Sequence, residues 1–555
     1  MNGILDANLR ALSKTDPALS SRVASCRPSS SVSFKAAGSG AAVPLVPDAG
    51  RWVALHSGVD PVREGLRVYG ALKGAGFLVF IGLGAAYHIV PCLEDPGISG
   101  ILVIEEDTSF FRSILENVEC TRLLGDPRVR FVVNPAPGAV EAALISSYIP
   151  SLMGSIKSFP LRTMKYQSGF ASSAAGEIGS AMDRISADFS AQARFGKRWA
   201  ANTIANLPFI GRQNFPIAGK RSAWIFAAGP SLDLQISGLG GGDYDALLLS
   251  TDTALPALLS RGFRPDAVVS IDCQHYGYHH FLSSCAGGSS PAGIPFLFDV
   301  SSPPSLVRAA DTRLFFAGGH PLSRFISRRW IRLPEVDTSG GNVAYAALSV
   351  AESFGAEDIR LFGLDFSYPD GKPYARGTYI PRLFDSQAHR LSPSESRYAS
   401  LVLGGGKVVR ESTEDGWRYT NPLFASYYIR MQESISRSPA AVSVLPGRGL
   451  PFQVNSRRSG RRSCEKTWNT PRTQNSGWRQ FLAAYRSWVA ELPVPANPPG
   501  ISLQKFPDME KEVWLTLLPL IPCLELEGGE AGDRALLLGD AKKWALARID
   551  RTLET

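Results

Sequence analysis

Cysteine is scarce in this chain and never grouped. The seven cysteines among 555 residues (Cys26, Cys92, Cys120, Cys273, Cys285, Cys464 and Cys523) are odd in number, and none is spaced CxxC. That pattern excludes a disulfide framework and a zinc site and points to a reducing, cytoplasmic compartment. A membrane-length apolar run is missing too. The longest apolar stretch, Phe77 to Leu93, falls short of the roughly 20 residues that span a bilayer, and Gly82, Gly84, His88 and Pro91 break it. Met1 to Val23 is polar and charged, without the apolar core of a secretory leader. No charge of one sign dominates either. Against 58 Lys plus Arg stand 50 Asp plus Glu, a net charge of +8, which fits an anionic ligand but is too small and diffuse for a nucleic-acid binder. With 44% hydrophobic and 19% charged residues the chain is globular, not disordered.

The length asks for more than one core. Residues 1–165 read as a first, Rossmann-like domain. Its helical start (Leu5, Leu9, Leu12) leads into a low-complexity stretch from Ser29 to Ala42. A strand Phe77–Ile81, the turn Gly82-Leu83-Gly84, a helix through Tyr87 and Leu93, and a strand Ile101–Ile104 ending at Glu105 come next. Glu105 lies about 20 residues beyond the glycines, where a Rossmann carboxylate holds a ribose. Tyr87 replaces the third glycine of GxGxxG, so a tight turn in a structural domain is the better reading.

From 195 to 440 strand and helix signals alternate. Trp224–Ala227, Ala246–Leu249, Ala267–Ile271, Phe296–Phe298, Leu314–Ala317 and Ile359–Phe362 are short apolar runs followed by turn residues. Helical patterns Ala254–Arg261 and Val343–Phe354 separate some of them, the second closed by Gly355 as a C-cap. Strands apolar on both faces that alternate with helices predict an α/β fold with a central, doubly wound, mostly parallel sheet. Residues 441–475, rich in Pro, Gly, Ser and Arg, read as a basic linker. Residues 476–555, with Trp478, Phe481, Tyr485 and Trp488 at helical spacing, read as a small helical C-terminal domain.

In a doubly wound sheet the loops at the carboxyl ends of the strands hold the ligand. The sharpest is Ala228-Gly229-Pro230-Ser231-Leu232-Asp233: Gly229 admits close backbone approach, Pro230 stiffens the turn, and Ser231 opens a helix whose amides suit a phosphate. A plain helix cap is the competing reading. Ser250 to Ala254 offers Asp252, and the loop after Ile271 offers Asp272, Gln274 and His275. Asp337-Thr338-Ser339-Gly340-Gly341-Asn342 opens the helix that starts at Val343, again suited to a phosphate, and Gly363 to Tyr368 carries Asp365 and Tyr368. Together these loops predict a nucleotide pocket.

At these loops the sequence resembles the motility-associated factor (Maf) flagellin glycosyltransferase family, whose central domain is shared with archaeal 6-hydroxymethylpterin diphosphokinase-like proteins. The matching stretches are AAGPSLD (227–233), STDTALPALLSRGFRPDAVVSIDCQ (250–274), DTSGGNVAYAAL (337–348) and IRLFGLDFSYPDGKPYA (359–375), and NLRALSKTDPALSSRV near the start also fits. The resemblance covers most of residues 1–435 and fades beyond 440. It implies a sialyltransferase-like central fold and a CMP-activated nonulosonic (sialic-acid-like) sugar as donor. It also implies Ser or Thr hydroxyls of flagellin as acceptor and no required cofactor. Carried over, Gly229, Pro230, Ser231, Thr338, Ser339 and Gly340 bind the nucleotide and its phosphate. Asp252 and Asp272 sit around ribose or base, and Asp365 and Tyr368 lie on the donor or acceptor side. Tyr374 stands where family members often carry a histidine.

Transfer needs a base for the attacking hydroxyl and donors for the leaving phosphate. Asp365, His320 and His275 are the candidates for catalysis, although a lone histidine is more often a surface or core residue. Two readings of other classes stand beside this one. A diphosphokinase would hold magnesium and ATP on paired carboxylates, for which Asp272 and Asp252 are available. A non-catalytic flagellin-binding scaffold would hold no nucleotide. Neither nucleic acid nor a membrane is an expected partner.

Overall fold

A computed structural model describes residues 3–48, 50–161, 168–211, 221–239, 244–274, 276–285, 291, 293–404, 406–414, 416–454, 477–494, 506–528 and 533–554. The chain divides into two compact units, Met1–Gly196 with Ala490–Ala545 and Lys197–Val489 with Leu546–Thr555.

In the first unit β1 (Ser33–Ala36), β2 (Ala42–Asp48) and β3 (Arg51–Ala54) form an antiparallel meander. The strands β4 (Phe77–Ile81), β5 (Gly100–Glu105), β6 (Val129–Val133) and β7 (Ile156–Pro160) form a parallel sheet in the order β6-β5-β4-β7. Every residue of β4 and β5 is buried, as strands covered on both faces require. That order is Rossmann-like, as expected.

The helix expected through Tyr87 and Leu93 is replaced by turns and a five-residue 3-10 helix, Val90–Glu94. The backbone is left-handed at Gly82, Gly84 and Ala86 (φ 95°, 51° and 63°), which no α-helix accommodates. The glycine turn is closed from inside. Leu83 N donates to Glu105 Oε2 at 2.8 Å, Glu106 N to Glu105 Oε1 at 2.9 Å, and Ala85 N to His56 Nε2 at 2.9 Å. A Cβ on Gly84 would lie 2.5 Å from that His56 nitrogen. Glu105 therefore caps the turn instead of reaching outward.

The second unit is built on β8 (Ser222–Phe226), β9 (Leu247–Thr251), β10 (Ala267–Ser270), β11 (Phe296–Asp299), β12 (Arg313–Phe316), β13 (Asp358–Phe362) and β17 (Ala441–Val444). All seven run parallel in the order β12-β11-β10-β9-β8-β13-β17. A small antiparallel sheet of β14 (Tyr368–Pro369), β15 (Val409–Thr413) and β16 (Gly416–Thr420) lies between β13 and β17 in the chain. Strand β17 draws residues 441–444 into the sheet, although composition assigns them to a linker. Its pairing with β13 gives a Pro/Gly-rich neighbourhood a short apolar anchor, Ala441 and Val442.

Among the helices of this unit are the end of α1 (Ser168–Asn206), α2 (Leu232–Ser237), α3 (Tyr276–Cys285), α4 (Pro321–Arg329) and α5 (Val343–Ser353). The unit boundary falls inside α1. Helix α5 is alanine-rich, and Ala346, Ala347 and Ala351 are fully buried, so its backbone packs close against the sheet residues Ala223, Leu249 and Ile359 in one core. Gly355 ends that helix with φ 77°. Two further helices are α6 (Pro422–Arg437) and α7 (Trp478–Glu491). The aromatic face of α7 packs on α4: Phe481 stacks on Trp330 at 5.2 Å, and Tyr485 lies 5.4 Å from Phe325. Residues 476–555 are thus shared between the two units.

Candidate functional site

Strands β8 to β12 are laid down outward on one side, and β13 and β17 on the other. The topological switch of the sheet therefore lies between β8 and β13, where ligands of such sheets collect. The two loops that leave these strands are tied together. Asp365 accepts the Ser231 amide at 2.9 Å and the Ser231 hydroxyl at 2.5 Å. The Gly449 amide also donates to Asp365, and Ser231 Oγ in turn accepts Arg448 N at 2.8 Å.

The glycines make this approach possible. A Cβ on Gly229 would stand 2.2 Å from Asp365 Oδ2, and one on Gly449 would stand 2.4 Å from the Asp365 Cα. Gly363 has φ 62° and lies against the Ala227 carbonyl. Arg448 is fixed by an ion pair with Asp370. Asp365 is 4% exposed, and burial raises its pKa against the lowering effect of its hydrogen bonds. Its carboxylate is engaged in a clasp that closes the switch crevice, and so are the amide and hydroxyl of Ser231. Helix α2 behind them has six residues.

The next strand ends carry a second group. Asp252, after β9, is buried and accepts Thr253 N at 2.7 Å and Ser270 Oγ at 2.7 Å. Asp272, after β10, is half-buried and accepts Gln274 N at 2.8 Å. Its pKa is raised, first by burial and then by the charge of Asp252, against hydrogen bonds from Gln274 and the cation of Arg198. His280 on α3 sits behind Asp252, 3.4 Å from Thr253 Oγ1 and edge-on to Tyr379 at 4.5 Å.

Aromatic hydroxyls face the two carboxylates. The Tyr374 phenol is pushed up by burial and by Tyr379, Tyr368, Asp252 and Tyr427, while its side chain keeps 38% of its surface exposed. Tyr427 on α6 feels the charge of Asp272. Tyr368 packs on Phe424 at 4.8 Å and is raised by burial.

A third group lies at β11, β12 and the start of α5. Asp299 accepts Ser301 N at 2.7 Å, Ser301 Oγ at 2.6 Å and the Gly318 amide. Gly319 N donates to Thr338 Oγ1 at 3.3 Å. Ser339 N donates to Asp337 Oδ1 at 2.9 Å, and the Ser339 carbonyl accepts from Arg430. Asn342 caps α5 through Tyr345 N. Gly340 lies against the Tyr345 ring, where a Cβ would approach to 2.1 Å, and Gly341, with φ 75°, lies against Tyr427. The Thr338–Asn342 loop thus meets the tyrosines of the second group through Tyr427.

His320 follows the Gly318–Gly319 turn that meets Asp299 and Thr338. It caps α4, with Nδ1 accepting Leu322 N at 3.3 Å, and its ring meets Trp199 at 5.7 Å. Nε2 is buried without a partner among the described residues, and burial lowers the pKa to about 4. His275 lies outside the described residues. The end of α1 is pinned over the strand ends by Asn202, which donates to the carbonyls of Cys273 and Ser301, and by Asn206, which donates to those of Val300 and Ser302.

The structure thus pairs Ser231 with Asp365 around Gly229 and Pro230, and gathers Asp252 and Asp272 toward Tyr374 and Tyr427. Sequence reasoning missed the clasp partner 447–449, whose Gly-Arg-Gly signal sat inside a stretch read as linker. It also missed Tyr427 and the Asn202/Asn206 pair. Among the described residues there is no group of three or more His, Cys, Asp or Glu able to hold a metal, and no helix is long and apolar enough to cross a membrane.

Residues 201–371 match the family described as 6-hydroxymethylpterin diphosphokinase MptE-like. Three uncharacterized proteins of Treponema pallidum (strain Nichols) are similar to the chain. The first is 38% identical over 143 residues, covering 25% of this chain and 50% of that protein. The second is 31% identical over 178 residues, 30% of this chain and 85% of that protein. The third is 28% identical over 195 residues, 35% and 41%. The chain thus spans only half of the first and less of the third. Among solved structures, a Maf glycosyltransferase from Magnetospirillum magneticum AMB-1 matches with a TM-score of 0.61 at 15% identity, over 100% of this chain and 96% of the other. The fold is that of this Maf glycosyltransferase. By its likeness to the second Treponema pallidum protein, the chain belongs to that protein's family.

Proposed function

We propose that this protein is a glycosyltransferase of the Maf type that moves a nonulosonic sugar from a CMP-activated donor to Ser or Thr hydroxyls of flagellin, in the cytoplasm and without a required cofactor. The observation that carries the reading is the extent of the fold match. It covers all of this chain and 96% of a protein named as a glycosyltransferase, while the diphosphokinase-like match stops at residue 371. The site chemistry is in keeping with it. The α5 opening offers the Thr338 hydroxyl and the positive end of the helix dipole to an anionic leaving group, while Ser339 is turned to Asp337 through its amide and hydroxyl. Tyr374, Tyr368 and Tyr427 offer flat, hydrogen-bonding walls to a base or sugar. Asp365 and Ser231 hold the frame of this pocket and do not enter the reaction.

One observation favours a second reading. Asp252 and Asp272 are neighbouring carboxylates inside the diphosphokinase-like segment, an arrangement that suits magnesium beside ATP. Calorimetric titration separates the two. Micromolar CMP binding that is lost in Ser339→Trp at an unchanged melting temperature supports the transferase. Binding of ATP only with magnesium, and of no CMP, overturns it in favour of the kinase. Binding of neither nucleotide leaves a scaffold that engages flagellin alone.

A further inference from the structure

The small sheet of β14, β15 and β16 has one face in use and one that is open. In antiparallel strands, residues directly opposite each other project from the same face, as do residues two apart on one strand. Glu411 on β15 and Arg418 on β16 stand opposite and are bonded at 2.9 Å, and Arg418 also donates to the Gly449 carbonyl at 2.7 Å. That face is turned to the loop that clasps Asp365.

The other face carries a row of large side chains. Arg410 on β15 stands opposite Tyr419 on β16, and Tyr419 stands opposite Tyr368 on β14. Trp417 shares the face two residues before Tyr419, and the Arg410 guanidinium lies 4.9 Å over its ring. The row runs from an open end to a covered one: Arg410 is exposed and Trp417 is 40% exposed, whereas Tyr419 and Tyr368 are half-buried. At the covered end Tyr368 acts on the Tyr374 hydroxyl of the candidate site. Two strand spacings, about 10 Å, separate Tyr368 from Arg410. Of the tryptophans described in this unit Trp417 is the most exposed, and Arg410 forms no ion pair among the described residues. Tryptophan and arginine are the residue types that carry most affinity at protein interfaces, the ring by burial and the guanidinium by its fork to a carboxylate.

A transferase that modifies a polypeptide needs surface beyond the pocket that holds its donor. We infer that this face docks the acceptor polypeptide, a segment of which crosses the sheet from Trp417 toward Tyr368 with an apolar side chain on Trp417 and a carboxylate on Arg410. The inference rests on the glycosyltransferase reading and adds to it the surface and the chemistry of the partner. The spacing sets where those two residues stand in the acceptor, at least about three residues of extended chain from the modified hydroxyl.

The test uses the full chain as wild type, Trp417→Ala and Arg410→Ala, with flagellin of the same organism as the immobilised probe. CMP titration and melting temperature are measured alongside. Both side chains are exposed, so both variants are expected to melt like wild type and to keep CMP affinity. Each is expected to bind flagellin at least about 10-fold more weakly. Arg410→Ala is also expected to respond less than wild type when salt is raised from about 50 to about 500 mM, because the screened charge is gone. Flagellin binding within about threefold of wild type in either folded variant overturns the inference. So does an equal loss of CMP affinity, which gives the face to the donor, and so does a wild type that binds CMP but not flagellin. Should one variant fail to fold, the other decides alone. A wild type that releases no CMP from CMP-N-acetylneuraminic acid in the presence of flagellin overturns the transferase reading instead, and the docking surface loses its acceptor with it.

Discussion

Replacing Asp365 separates a structural clasp from a chemical role. Its carboxylate accepts three donors, the Ser231 amide, the Ser231 hydroxyl and the Gly449 amide, at a site with almost no solvent. Hydrogen bonds to an ionised group contribute about 1.5 to 3 kcal/mol each. Burial works against the charge, as the raised pKa of Asp365 records, so the sum is discounted. Asp365→Ala leaves all three donors without an acceptor and is expected to cost about 3 to 5 kcal/mol. At roughly 2 °C per kcal/mol for a unit of this size, that lowers the melting temperature by about 6 to 10 °C. Asp365→Asn keeps one acceptor oxygen and removes the buried charge, and turns an amide N–H toward one donor. It is expected to cost about 1 to 2 kcal/mol. Thermal melting followed by circular dichroism, with CMP release measured on the same samples, decides the matter. A catalytic Asp365 predicts the reverse pattern, in which Asp365→Asn melts like wild type and turnover falls by about 100-fold or more. That result, or an Asp365→Ala melting within about 1 °C of wild type, would refute the clasp.

Gly229→Ala places a methyl 2.2 Å from Asp365 Oδ2 and 2.4 Å from the Gly363 carbonyl; with backbone on one side the loop has to shift, and a loss of about 2 kcal/mol or more is expected in urea unfolding. Asn206→Ala frees the carbonyls of Val300 and Ser302 from their 2.8 Å bonds and is expected to cost about 2 kcal/mol by the same assay. Glu105 has a pKa raised from 4.5 to about 7 by burial. The folded chain therefore keeps a proton that the unfolded chain has released between pH 4.5 and 7. Its contribution to stability is full below 4.5, is lost as pH rises through 7 and is flat above. The difference is of the order of 3 kcal/mol, and Glu105→Gln is expected to remove that slope from the urea midpoint plotted against pH. His320, at about 4, is expected to show imidazole NMR shifts that do not move between pH 5.5 and 8.

The central strands of both parallel sheets were legible because a buried parallel strand needs apolar residues on both faces, and runs such as Phe77–Ile81 and Ile359–Phe362 announce that directly, whereas β6, β7 and β17, with exposed positions that break the apolar run, were not read. Helix α5 was legible for a similar reason, with Gly355 marking its end. The helix expected after Gly84 failed because a left-handed backbone at Gly84 and Ala86 overrode an apolar pattern that fits either a turn or a helix. Glu105 stands at a ribose-binding spacing, but spacing does not say which way a side chain faces, and two amides nearby claim it. The contacts of Asp365 were hidden by distance along the chain. Its partner Ser231 is 134 residues away, and Gly449 lies in a segment whose composition resembles a linker. The polar loops at the strand ends were found by their residue types. Which of their carboxylates face inward is a matter of packing, and no pattern in the sequence carries it.

The clasp also orders events in time. Strands β8 to β12 and the loops bearing Ser231, Asp252 and Asp272 are made early, but Arg448 and Gly449, which close the switch crevice, arrive 217 residues or more after Ser231. They are brought to it by β17, the last strand to join the sheet. Contacts this distant in sequence are slow to form because the intervening chain has to be brought to heel first. A nascent chain that has emerged only as far as β13 thus carries a sheet with its central crevice open. The pocket gains its final shape when the segment after residue 441 docks, so the crevice closes in one step that waits for a part of the chain far from Ser231 in sequence.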